Sequence, residues 1–162
     1  MSQNLSTQTG AARHLRITRF LFFAICGFVA IALVAALLIV LFRVVENALN
    51  TYGDTPVIIM AVISAAAIII ARSTFNKGIN EAKNSLNALI SKLNRYRSAL
   101  LMHLAICEAA AMLNVVGYIF TGRSAFLILA AILLGCMLAS MPSARRLATD
   151  LQLDAVQQQE LF

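Results

Sequence analysis

From Phe20 to Phe42 the chain runs without a single charged side chain. A helix needs about 20 consecutive apolar residues to cross a bilayer core. In water a uniformly apolar run of that length would have to be buried on every side. Three further apolar runs follow, and a chain of 162 residues has too little interior to bury four of them. Hydrophobic residues make up 60% of the chain and charged ones 12%. Soluble domains lie near one half and one quarter. These features predict an all-α integral membrane four-helix bundle.

In chain order, residues 1–15 are polar and read as a disordered tail. Arg13, Arg16 and Arg19 then lead into a first span predicted at 17–47. The run is far longer than the ~7–15 residues of a signal-peptide core, and no small-x-small cleavage site follows a short core. It therefore reads as an uncleaved signal anchor. Its small residues Ala24, Gly27, Ala30 and Ala35 offer close approach to a neighbouring helix, although an ordinary lipid-facing helix has the same composition. Asn50, Gly53, Asp54 and Pro56 form a connection in which Asp54 or Thr55 can cap the next helix. The second span is predicted at 56–75, with Arg72 reaching toward the headgroups.

Gly78 offers a break. After it, Ile79, Ala82, Leu86, Leu89, Leu93, Tyr96 and Leu100 recur at alternating spacings of three and four, a heptad pattern. This predicts an amphipathic cytoplasmic helix over 79–97, continuous with a third span at 98–120. Ile79, Leu86, Leu89, Leu93 and Tyr96 are its candidate interaction face, either for another helix or for an anionic membrane surface. Thr121-Gly122 closes the third span. The very short link to the fourth span, 124–141, predicts an antiparallel hairpin. Residues 142–162 read as an amphipathic cytoplasmic tail, with Asp154 and Gln157 spaced for a capping box.

Eleven of the thirteen basic residues fall on one side of a four-span arrangement. They lie before span one, between spans two and three, and after span four; only Arg43 and Arg123 fall on the other side. The positive-inside rule then puts both termini in the cytoplasm. The same rule accounts for the net charge of +6. The basic residues are dispersed and lack interleaved aromatic residues, which argues against nucleic acid as a partner.

Glu108 is the only acidic residue within an apolar segment. A carboxylate at that depth is costly and usually faces protein, a partner or an ion path. With His103 and Asn114 it makes the candidate intramembrane polar site. His103 and Glu108 stand about 140° apart on a helix and do not share a face. Cys26, Cys107 and Cys136 fall one to each of three apolar runs and have no zinc-ligand spacing, so they read as small buried hydrophobes. There is no nucleophile elbow, HExxH, Walker loop or dinucleotide fingerprint. Spacing gives Ser64, Ser98 and Ser140 no His or Asp partner. No metal or cofactor is expected, and an enzyme is not the reading the residues favour.

The stretch AICEAAAMLNVVGYIF, residues 105–120, resembles the carboxylate-bearing helix of rotary ATP synthase c-type proteolipids. That likeness implies Glu108 as an ion-binding carboxylate. The helix before it is Ala/Ile-rich where that family has a glycine repeat, and the loop lacks the family's Arg-Gln-Pro. Residues 100–155 are also similar to small bacterial four-span proteins of no known activity, which implies a bacterial inner-membrane location. Two functions stand from the sequence. One is a structural or accessory subunit that self-associates or joins a larger inner-membrane complex. The other is an ion- or proton-translocating component, or a small transporter, built on Glu108. The bilayer, other membrane subunits and further copies of the chain are the expected partners.

Overall fold

A computed structural model describes residues 2–42, 54–83, 89–142 and 149. It is all-helical. Among the described residues there are four helices: α1 (Ser2–Leu41), α2 (Thr55–Lys83), α3 (Leu89–Thr121) and α4 (Ser124–Ala139). Three of them contain stretches long and apolar enough to cross a membrane: Arg16–Leu41, Thr55–Lys83 and Ser91–Thr121. At 16 residues, α4 is apolar but short, about 24 Å at 1.5 Å per residue.

α3 is the hub and packs against each of the other helices, whereas α1 lies on α3 and α4 rather than on α2. Half of the apolar window of α3 is buried, against 17% for α1 and 11% for α2. The buried stripe of α1 is Thr18, Phe22, Cys26, Val29 and Ala36, spaced to keep one face on its neighbours. Two apolar clusters fill the interior. The larger joins Phe22, Cys26 and Val29 to Phe75, Ile79, Tyr96, Leu100, Leu104 and Met137. The smaller, around Ala36, Val115, Tyr118, Phe126 and Ala130, lies toward the α3–α4 turn. The outer surface carries Phe20, Phe28, Ile31, Ile58, Ile69, Met102 and Ile128, each more than half exposed. Apolar exposure on this scale is what a lipid or protein partner covers.

Polar contacts tie helix ends together on both sides of the bundle. Arg19 Nε donates to the Pro142 carbonyl at 3.2 Å, joining the first turns of the α1 apolar run to the end of α4. At the opposite end Arg123 meets Asp54 at 2.6 Å. The Asp54 carbonyl accepts from the Ile58 amide at 3.1 Å, so Asp54 starts α2 through its backbone while its carboxylate serves the ion pair. The α3–α4 turn is the expected tight hairpin. Gly122 has φ 67°, its amide donates to the Tyr118 carbonyl at 2.7 Å, and the Thr121 hydroxyl donates to Gly117. This is the left-handed helix stop that glycine adopts without strain.

Several expectations are corrected. The helix of α1 starts at Ser2, so helix runs through the stretch expected as a disordered tail. No proline interrupts residues 2–15, and a helix nucleated in the apolar run propagates at little cost. The first span is described only to Phe42, so its predicted extension to 47 lies outside the described residues. The small residues Ala24, Gly27, Ala30 and Ala35 are not the packing face of α1; Ala24 and Ala35 are exposed, and nothing comes within 4 Å of where a Cβ would sit on Gly27.

The largest correction concerns 79–97. Gly78 does not break the chain: α2 continues through it to Lys83, and α3 starts afresh at Leu89. The amphipathic stretch is therefore divided between two antiparallel arms. Gly78 is a point of close approach between them. A Cβ there would overlap the Ala99 Cβ and lie 3.6 Å from the Ala99 Cα. The heptad stripe is real but is buried within the chain, with Ile79 and Ala82 on α2 and Leu93, Tyr96 and Leu100 on α3 all in the larger cluster. Phe75 and Tyr96 meet edge-on across this contact at 5.8 Å. Leu86, the side chain of Leu89 and the expected capping box at Asp154 and Gln157 lie outside the described residues.

Candidate functional site

The three candidate polar residues of α3 do not form one site. Asn114 is fully buried and faces α2, where its Nδ2 donates to Ser64 Oγ at 2.8 Å. The same Nδ2 donates to the Ala110 carbonyl one turn back, at 2.9 Å. Its Oδ1 is buried with no partner among the described residues. Ser64 is itself 3% exposed, whereas Ala65 and Ala66 beside it are exposed and face away from this contact. The Asn114–Ser64 pair is a helix-to-helix clamp inside the bundle.

His103 lies three turns nearer the start of α3 and faces α4. Its Nε2 is 3.0 Å from Ser140 Oγ, and that hydroxyl also reaches the Cys136 carbonyl at 3.1 Å. Spacing offers Ser140 no histidine; the α3–α4 hairpin brings in one that lies 37 residues away in the chain. The imidazole is 6% exposed and rests against the Phe75 ring with centroids 5.6 Å apart. Its Nδ1 is buried and has no partner among the described residues. Among the described residues the serine–histidine pair has no acid to orient the imidazole as a catalytic triad requires. Beside it opens a cavity of about 260 Å³ lined by residues of α2, α3 and α4, among them Arg72, Asn76, His103 and Ser140.

Glu108 stands apart from both. It is half-buried on the flank of α3, within electrostatic range of Cys26 on α1. Among the described residues its carboxylate has no hydrogen bond and no ion pair; the only ion pair there is Arg123–Asp54. It lies 13 residues before Thr121, about 20 Å along the helix from the α3–α4 turn. Its neighbours on the same flank, Ala105 and Met112, are exposed and half-buried respectively. The carboxylate therefore opens on the apolar outside of the bundle, not on an enclosed interior site.

The cysteines are free thiols, with Cys26 and Cys107 buried and Cys136 half-buried. Among the described residues no group of His, Cys, Asp and Glu is placed to hold a metal ion. No family model, curated protein or solved structure matches the chain. What the fold defines is a class: a small helical bundle, centred on α3, with three helices suited to crossing a membrane.

Proposed function

We propose that this chain is a structural or accessory subunit of a bacterial inner membrane, which self-associates or joins a larger complex through the Glu108 flank of α3. The observation that carries the reading is the half-buried carboxylate with no partner among the described residues, on a surface that is otherwise apolar. A carboxylate facing hydrocarbon is costly, and a hydrogen-bond donor on an adjoining helix removes that cost. The heptad stripe is not available for docking, because Ile79, Leu93 and Tyr96 are spent on the α2–α3 contact. In this reading all four helices lie in the membrane. The short α4 is held by its hairpin to α3, and both termini are cytoplasmic with the basic connections.

The test is assembly state in mild detergent for wild type, Glu108→Gln and Glu108→Leu. Wild type should run as an oligomer or with a co-purifying membrane subunit. Glu108→Gln, which keeps hydrogen bonding, should hold that assembly, and Glu108→Leu should loosen it at least tenfold. A monodisperse monomer with nothing attached would defeat the proposal. The second reading, an ion- or proton-translocating role, draws on the same half-buried carboxylate and on the proteolipid-like residues around it. It is separated by ion flux in liposomes, where Glu108→Gln would abolish flux if Glu108 must ionise.

A further inference from the structure

The cavity of about 260 Å³ between α2, α3 and α4 has a chemistry that neither reading of Glu108 uses. Its wall brings together Arg72, Asn76, His103 and Ser140, with Phe75 and Ile79 among its apolar residues. Among the described residues no carboxylate lines it. His103 is more than nine-tenths buried, and its Nδ1 has no partner among the described residues. A buried imidazole nitrogen left bare costs free energy unless something fills the gap. The Ser140 hydroxyl gives its one proton to the Cys136 carbonyl, so its oxygen accepts from the His103 Nε2–H and the neutral ring keeps Nδ1 as an acceptor. The wall then offers the Arg72 cation and the Asn76 amide, a pair matched to an anion's oxygens.

Position narrows the choice of anion. Arg72 follows the apolar part of α2, and the cavity is at the same end of the bundle as the Arg19–Pro142 contact and the hairpin cations Lys77, Arg95 and Arg97. If the helices span a membrane, this is headgroup depth on the basic side, where phosphate groups are concentrated. We infer that the Arg72–Asn76–His103–Ser140 cavity binds a phosphate group, carried either by an anionic lipid headgroup or by a small phosphorylated solute. The inference rests on the membrane reading only for the depth of the cavity and is independent of what Glu108 does.

The experiment uses the full chain in detergent with the histidines labelled with ¹⁵N. Only two histidines are present, His14 and His103, so the His103 ring nitrogens are resolvable. Phosphatidic acid is titrated against diacylglycerol of the same acyl chains, and glycerol 3-phosphate against glycerol. Phosphatidic acid should bind, diacylglycerol should not, and the His103 ring signals should move with binding. Arg72→Gln, a change at an exposed side chain, should weaken binding at least tenfold. Lys92→Gln, at the same end but off the cavity wall, should leave it unchanged. Binding of phosphatidic acid alone assigns the site to a lipid headgroup; equal binding of glycerol 3-phosphate assigns it to a free solute. Equal binding of phosphatidic acid and diacylglycerol, unmoved His103 signals, or equal loss in Arg72→Gln and Lys92→Gln would each overturn the proposal.

Discussion

Replacing Gly78 by alanine tests the α2–α3 contact through the sign of its effect. At an open helix position, glycine to alanine stabilises by about 1 kcal/mol, because alanine loses less backbone entropy. Gly27 is such a position, with nothing within 4 Å of an added methyl, and Gly27→Ala should be neutral or stabilising by that amount. At Gly78 the new Cβ would overlap the Ala99 Cβ, with the Ala99 Cα only 3.6 Å away. Neither side chain has a rotamer to turn, so the two backbones must separate. Overpacking of this kind costs about 1–3 kcal/mol. Set against the propensity gain, Gly78→Ala should destabilise by up to about 2 kcal/mol. Adding Ala99→Gly removes the clash, so the double mutant should show a coupling of about 1–3 kcal/mol between the sites. Reversible unfolding in mixed micelles, read by helical circular dichroism, gives all the values needed for the cycle. Two results would refute the reasoning: Gly78→Ala as stabilising as Gly27→Ala, or additivity within about 0.5 kcal/mol, as for distant sites.

Three further outcomes follow from the polar contacts. Asn114→Ala removes the Ser64 hydrogen bond and should cost about 0.6–2 kcal/mol in the same unfolding assay; Ser64→Ala should cost less, because Asn114 keeps the Ala110 carbonyl. Gly122→Ala forces a left-handed backbone on a residue with a Cβ and should cost about 1–2 kcal/mol, seen as a lower unfolding midpoint. Arg123→Gln should cost no more than about 1 kcal/mol, because Asp54 is 87% exposed, and the difference should fade in high salt.

Much of the fold can be read from patterns local in the chain. The apolar run of α1, the start of α2 at Asp54–Pro56 and the Thr121–Gly122 hairpin depend on length, caps and turn residues that lie next to one another. The division of 79–97 does not. A heptad stripe reads the same whether it continues along one helix or folds back so that its halves bury each other, and Ile79 and Leu93 are consistent with both. Gly78 is ambiguous for a similar reason, since a glycine that ends a helix and one that admits a neighbour look alike until Ala99 is found opposite it. The candidate site was legible as residue types but not as an arrangement. Periodicity separates His103 from Glu108 on the wheel. Which neighbour each faces depends on how α1, α2 and α4 surround α3, and that rests on contacts between separate helices, such as Ser140–His103 at 37 residues and Arg19–Pro142 at 123.

The proposed role turns on Glu108 lying at a contact with another chain, and cross-linking in native membranes tests this most directly. With Cys26, Cys107 and Cys136 replaced by serine, single cysteines are introduced by Ala105→Cys and Met112→Cys, which flank Glu108, and by Ile70→Cys, on the exposed face of α2. A contact at Glu108 predicts that oxidation or a short bifunctional reagent gives a covalent dimer or a defined heteromeric adduct from positions 105 and 112, and none from 70. It further predicts that Glu108→Leu reduces those adducts. Monomer alone at positions 105 and 112, under conditions that trap a known membrane dimer, would contradict it.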